Sequence, residues 1–166
     1  MSTKRRELRA TGRKRHSSQI ENRQQGVHLS LSAIGNFLNR LNRELRIGRH
    51  ATFVRFVTDA EMKLLNHTFR KKAKTTDVLS FPAETRSTPR TLRSRTMELR
   101  GSFLGDIAIS PAVARRNAKV SDRTMTEEIC ILMLHGVLHL LGYDHETDRG
   151  EMERVEATLR RRLGLT

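Results

Sequence analysis

The sequence predicts an α+β fold in which helices cover a small mixed β-sheet. Two observations support this class: short runs rich in β-branched and aromatic residues recur along the chain, and stretches of helical periodicity alternate with them. A third is that one C-terminal stretch is apolar on nearly all sides, as expected of a helix at the centre of a core. With 166 residues, the chain is long enough for one adequate core.

Four strands are predicted from runs of residues that favour a pleated, half-buried surface. In the second run Phe53 and Val54 stand close to Phe56, and in the third Val78 and Leu79 precede a further aromatic residue. In chain order, the strands are expected at residues 27–31, 51–58, 76–82 and 103–110.

Five helices are predicted from helical periodicity and from capping residues. Ser32 and Asp59 are expected to cap the first two helices, and Pro111 suits the first turn of the third. Thr124 and Glu127 form a capping-box pattern before the apolar fourth helix. The helices are expected at residues 32–47, 59–69, 111–120, 126–141 and 146–163.

These elements are predicted to form a single domain over residues 27–166. Residues 1–26 before it form a basic arm that is predicted to be disordered, because seven of the first fifteen residues are Lys or Arg and large apolar groups are nearly absent. Within the domain, residues 84–102 are predicted to form a basic loop, with five arginines. Either segment is a candidate for contact with a polyanion or is passive and solvated.

The chain is strongly basic, with 32 Lys and Arg against 18 Asp and Glu and a formal net charge of +14. Such an excess favours a polyanionic partner, most simply nucleic acid, because the neutralised phosphates release counterions. The sequence has six Phe, one Tyr and no Trp. Contacts with a nucleic-acid backbone are therefore expected rather than extensive base stacking.

The composition also bears on location. No apolar run approaches the ~20 residues that a membrane-spanning helix needs, so no membrane partner is expected. The single cysteine, Cys130, excludes an internal disulfide and fits a reducing compartment. The Arg-rich N-terminus lacks the regular apolar positions of a targeting helix, so a cytoplasmic location is predicted ahead of an organelle.

Three histidines near the C-terminus have the spacing of a metal site. His135 and His139 are four residues apart, so they lie on one face of the predicted helix. Gly142 can adopt the left-handed conformation that ends a helix, and this lets His145 fold back toward the other two. Three neutral imidazoles with a fourth position open to water are typical of a catalytic zinc site. The other four histidines show no ligand spacing.

The predicted cofactor is one zinc ion per chain, or another divalent metal. Zinc lowers the pKa of bound water to about 7 in favourable sites. Metzincin proteases share this spacing but place a glutamate, their general base, directly after the first histidine, where this chain has Gly136. Deprotonation must therefore come from the metal itself, another side chain or the substrate. Asp144 is a candidate base or orienting group, although a turn-forming role suits it at least as well.

Four segments occur together and in order: Leu-Asn-His-Thr-Phe-Arg at 65–70, Thr-Asp-Val-Leu-Ser-Phe-Pro at 76–82, Leu-Gly-Asp-Ile-Ala-Ile-Ser at 104–110, and the histidine block at 135–145. Together they resemble the YbeY family of bacterial rRNA maturation factors, also called endoribonuclease YbeY. The family usually has Asp-Lys-Pro-Thr before its Asp-Val-Leu-Ser-Phe stretch, whereas this chain has Ala-Lys-Thr-Thr at 73–76. The loop after Arg70 is therefore expected to differ in shape.

The resemblance implies a metal-dependent endoribonuclease, specific for single-stranded RNA, that acts in 16S rRNA 3′-end maturation and ribosome quality control. It implies that zinc-bound water attacks the phosphodiester, and that rRNA and the small ribosomal subunit are partners. The family's zinc ligands match His135, His139 and His145. Its functional arginine matches Arg70, which would stabilise charge on the phosphate. The oligomeric state stays open.

Two other functions are compatible with these residues. A zinc hydrolase of another class, such as a peptidase, would share the histidine spacing, but Gly136 stands where its usual base would be. A non-enzymatic, ribosome-associated RNA-binding factor would hold zinc structurally. Such a closed site needs a fourth protein ligand, for which Asp144 and Cys130 are the nearest suppliers.

Overall fold

The computed structural model describes residues 19–83 and 102–165, and these residues form four strands and five helices. The strands are β1 (Ile20–Asn22), β2 (Thr52–Phe56), β3 (Val78–Pro82) and β4 (Gly105–Ile109). The helices are α1 (Leu31–Glu44), α2 (Asp59–Arg70), α3 (Pro111–Val120), α4 (Met125–Leu140) and α5 (Glu151–Leu163). The predicted α+β class is confirmed.

The strands form one mixed sheet in the order β1-β2-β4-β3. Strands β1 and β4 both run parallel to β2, whereas β3 pairs antiparallel with β4. Alternate residues of a strand face opposite sides of the sheet. On one side Val54, Phe56, Ile107 and Ile109 are fully buried in the main core. On the other, α2 covers a smaller buried cluster that includes Met62.

Helix α4 is the central element of the main core, because it packs against β3, β4 and the helices α1, α3 and α5. Eleven of its sixteen residues are buried. The predicted capping box starts the helix: the Glu127 N–H donates to Oγ1 of Thr124 at 3.2 Å, and the Thr124 N–H donates to Oε2 of Glu127 at 2.9 Å. The prediction of a central apolar helix is confirmed.

The arm predicted at residues 1–26 includes residues that belong to the sheet. Residues 20–22, which the charge pattern assigns to the arm, form the edge strand β1. An ion pair of 2.8 Å between Glu21 and Arg55 links this strand to β2, and Ile20 packs on the main core. A strand of three residues with one apolar side chain carries almost no periodicity, so the sequence pattern misses it. Residues 1–18 of the arm and residues 84–101 of the predicted loop lie outside the described residues.

One predicted strand is wrong, and one predicted helix start is also wrong. The strand expected at 27–31 does not form, because the Gln24 side chain takes the place of a neighbouring strand: its Oε1 accepts from the Val27 N–H at 2.8 Å, and its Nε2 donates to the Val27 carbonyl at 2.9 Å. Helix α5 begins five residues later than predicted. The Asp148 carboxylate accepts hydrogen bonds from the backbone N–H groups of Gly150, Glu151 and Met152, and so caps the start of the helix. The remaining elements match their predicted ends within three residues.

Across the described residues, no helix combines the length and the apolar character that crossing a membrane requires.

Candidate metal centre

The three histidines with metal-site spacing lie together at and just beyond the C-terminal end of α4. Their candidate ligand nitrogens all lie within 4.8 Å of one another, and in the described residues no other such group of His, Cys, Asp or Glu occurs. Nε2 of His135 is 3.1 Å from Nε2 of His139. Tetrahedral zinc with Zn–N bonds of ~2.0–2.1 Å holds two nitrogens about 3.3 Å apart. The distance between the two Nε2 atoms therefore matches the spacing that such an ion requires.

The turn after α4 brings the third histidine to the other two. Gly142 has a φ of 89°, in the left-handed region that favours glycine. Its N–H donates to the His139 carbonyl at 2.9 Å, and the Tyr143 N–H donates to the Leu138 carbonyl at 3.1 Å, which together form a Schellman motif. As a result, the ring centroid of His145 lies 5.4 Å from that of His139. The predicted glycine turn is confirmed.

The His139 ring is held in the form that binds metal. Burial lowers the pKa of His139, and the repulsion that it would meet from protonated His135 and His145 lowers it further. A hydrogen bond with the Tyr143 backbone and the charge of Asp144 act in the opposite direction. The imidazole therefore stays neutral at neutral pH. A neutral ring keeps the nitrogen lone pair that a metal needs.

A carboxylate on α5 orients the first histidine. Oε2 of Glu156 lies 2.9 Å from Nδ1 of His135, and Oε1 accepts from the Arg160 guanidinium at 2.5 Å. Burial would raise the pKa of Glu156, but the hydrogen bond with His135 and the charges of His135 and Arg160 hold it below its usual range. An ionised carboxylate only accepts hydrogen bonds, so Nδ1 of His135 carries the proton. Nε2 then points its lone pair into the cluster, as behind many zinc ligands.

Sequence reasoning missed Glu156. The one signal in the sequence is the spacing of four between Glu156 and Arg160, which is the ordinary pattern of a solvated ion pair on a helix. Nothing in that pattern points to a histidine twenty-one residues earlier in the chain.

Gly136 occupies the position of the metzincin base but faces the sheet. A Cβ at this position would lie 3.0 Å from Cγ2 of Ile107 and 3.2 Å from Oγ of Ser80. The same Ser80 hydroxyl donates to the Gly136 carbonyl at 3.1 Å. A Cβ here would require these neighbours to shift by a few tenths of an ångström, so glycine fits the packing without that displacement. The close packing of α4 on β3 and β4 therefore accounts for the glycine.

Arg70 is the last residue of α2, and the helix ends there by local backbone geometry. Lys71 adopts a left-handed conformation with a φ of 58°, and its N–H donates to the His67 carbonyl at 3.1 Å. The buried Asn66 side chain then donates to the Lys74 carbonyl at 2.7 Å. This bond holds the loop in which the sequence departs from the family pattern.

The Arg70 side chain extends toward the segment that carries the third histidine. Its guanidinium lies 3.9 Å from Oε1 of Glu146, which directly follows His145. The two side chains are 46% and 64% exposed, and ion pairs this open to solvent are weak. Arg70 is thus accessible, near the residue that follows His145, and held only loosely by its partner.

The two other candidate residues lie outside the histidine cluster. Oδ1 of Asp144 accepts from the Glu146 N–H at 3.0 Å, so this residue forms the turn. Cys130 is buried, and burial raises the pKa of its thiol to about 12, which keeps it protonated. Neither belongs to the cluster. Of the four histidines without ligand spacing, three also lie apart from the cluster, and one is outside the described residues: His28, His50 and His67, and His16.

Comparisons with known proteins show the family of this chain. The family described as "Endoribonuclease YbeY" matches residues 18–164. A protein of that name from Solibacter usitatus is 44% identical over 149 residues, which cover 89% of each chain. Another, from Koribacter versatilis, is 39% identical and covers 82% of this chain and 80% of its own.

Among solved structures, the solution structure of a Thermotoga maritima protein matches with a TM-score of 0.57 and 26% identity, covering 87% of both chains. The family match spans the sheet, Arg70 and the histidine cluster. The chain therefore belongs to the YbeY family of endoribonucleases.

Proposed function

We propose that this protein is a metal-dependent endoribonuclease that cleaves single-stranded RNA and uses zinc. The observation that carries the proposal is the cluster of three histidine nitrogens within 4.8 Å of one another. A set of neutral imidazoles leaves a bound dication its full charge. Membership of the endoribonuclease YbeY family supplies the reaction class.

In the proposed site, His135, His139 and His145 hold the metal. When bound, zinc supplies a Lewis acid that lowers the pKa of water to about 7. Glu156 keeps the proton of His135 on Nδ1, and burial keeps His139 neutral. His145 is exposed, so substrate can approach the cluster from the side on which His145 lies.

Arg70 is the proposed phosphate-binding residue. A guanidinium pairs with two phosphate oxygens at once, and charge that develops on those oxygens in the transition state is stabilised by a positioned cation. The weak pair with Glu146 fits this role, because a phosphate can replace the carboxylate at little cost.

The proposed substrate is rRNA of the small ribosomal subunit, in the maturation of the 16S rRNA 3′ end and in ribosome quality control, in the cytoplasm. Family membership and the net charge of +14 support an rRNA partner. The basic segments predicted at the N-terminus and at 84–102 would add phosphate contacts around one catalytic domain.

The two alternative functions are less well supported. A peptidase of the metzincin type has a glutamate base where this chain has Gly136, which packs tightly against the sheet. A structural zinc site needs a fourth protein ligand, and in the described residues neither Asp144 nor Cys130 joins the cluster.

The proposal is tested with His139→Ala, which removes the central ligand. We expect zinc content to fall, and both RNA cleavage and the zinc-dependent rise in melting temperature to disappear. Elemental analysis, thermal melts and single-turnover cleavage of a single-stranded RNA measure these effects. His50→Ala is the control, since this exposed histidine lies outside the cluster. Undiminished zinc in His139→Ala would refute the three-histidine site.

A further inference from the structure

A second basic site lies on α1 and the turn that follows it. An open cleft of about 640 Å³ occurs there. Its lining is made of arginine and asparagine side chains with one apolar residue: Asn36, Asn39, Arg40, Asn42, Arg43, Ile47 and Arg49. None of these residues belongs to the histidine cluster or contributes to its contacts.

The cleft is electropositive. Arg43 and Arg49 are exposed, and no carboxylate of the described residues forms an ion pair with either. Arg40 uses one nitrogen to donate to the Leu163 carbonyl at 3.0 Å. The acidic neighbour in this part of α1, Glu44, is paired with Arg162 at 3.0 Å. The C-terminal dipole of α1 adds only about half a negative charge. The three guanidinium groups outweigh it, so the electrostatic potential of the cleft is positive.

The asparagines make the cleft more than a patch of charge. Asn36 and Asn39 each offer two amide donors and a carbonyl acceptor, which match sugar hydroxyls and base edges. The buried Asn42 donates to the Arg49 carbonyl at 3.4 Å and so holds the turn that carries Arg49. Cations beside amides suit a strand with alternating phosphates and polar sugars.

Helix α5 connects the cleft to the histidine cluster. Its Leu163 carbonyl binds Arg40, and its Glu156 binds His135. The two residues are seven positions apart, which is about 10 Å along a helix. The cleft and the histidine cluster therefore adjoin the same helix, about two helical turns apart.

We propose that this cleft is a second RNA-binding site, which holds the phosphate backbone of a single-stranded region of the substrate away from the point of cleavage. This inference rests on the proposed function, because the ligand of the cleft is the RNA substrate. The site adds affinity and takes no part in the chemical step, so its loss acts on KM rather than on kcat.

The test compares two variants that each lose two positive charges. Arg43→Gln with Arg49→Gln removes two cations from the cleft, and Arg115→Gln with Lys119→Gln removes two exposed cations from α3. Binding of a fluorescent single-stranded RNA is measured by anisotropy against salt concentration, on zinc-loaded and on metal-free protein. We expect the cleft variant to bind about tenfold more weakly at low salt, and its salt slope to fall by about 1.4, at ~0.7 per lost phosphate contact.

The binding arm is independent of the cleavage activity. The site is supported if only the cleft variant binds RNA more weakly and shows a smaller salt slope. This holds even if the protein cleaves no RNA, in which case only the proposed function fails. Equal losses in the two variants would show a diffuse charge effect and overturn the site. Competition by poly-glutamate as strong as that by RNA would also overturn it, because the occupant would then be an acidic peptide.

Discussion

Replacing Glu156 by glutamine should weaken zinc binding by about tenfold to thirtyfold while leaving the fold intact. The carboxylate has two oxygens, one for Nδ1 of His135 and one for the Arg160 guanidinium. Glutamine has a single oxygen. If that oxygen stays with Arg160, the amide NH₂ faces Nδ1 and favours the His135 tautomer protonated on Nε2, which cannot bind metal.

The magnitude follows from the strength and exposure of this contact. Hydrogen bonds to charged groups contribute about 1.5–3 kcal/mol, and loss of such an outer partner typically costs ten- to a hundredfold in metal affinity. The His135 and Glu156 side chains are 28% and 13% exposed. Partial solvent screening therefore favours the lower part of that range.

The assay is a zinc titration in competition with a chromophoric chelator, together with NMR of the His135 ring nitrogens. Arg160→Lys serves as the control, because it keeps a cation beside Glu156 and leaves the His135 contact in place. We expect a shift in tautomer only in Glu156→Gln. Wild-type zinc affinity in Glu156→Gln, with a normal melting temperature, would refute the orienting role.

Two further predictions concern Arg70 and Asp148. Arg70→Lys keeps the charge but loses the two-pronged contact, so single-turnover RNA cleavage should slow about a hundredfold while RNA affinity and zinc content change little; cleavage at the wild-type rate would make Arg70 a surface charge only. At Asp148, backbone hydrogen bonds, that of Met152 foremost, lower the pKa of the carboxyl. A lowered folded-state pKa stabilises the protein above the unfolded value of 3.8 and loses this effect as pH falls through the folded value. Asp148→Asn should therefore melt below the wild type at pH 7, with a difference that closes below pH 3.8 in thermal melts; a difference independent of pH would contradict it.

Features that depend on neighbouring residues were predictable from the sequence. The capping box at Thr124, the apolar α4 and the spacing of His135 and His139 all follow from interactions within a few residues along a helix. The Gly142 turn does too, because its conformation is a property of glycine itself. The histidine cluster could therefore be predicted before any packing was known.

Contacts between distant segments were decided only by the tertiary structure. The bond from Glu156 to His135, the closeness of Gly136 to Ile107 and the strand β1 all join elements that are far apart in sequence. Hydrophobic burial is non-directional, so the local pattern shows that α4 is buried but not which side chains meet it. The partner of each histidine and the shape of the basic cleft are set by how α1, α4 and α5 pack, since side-chain hydrogen bonds need positions defined to within a few tenths of an ångström.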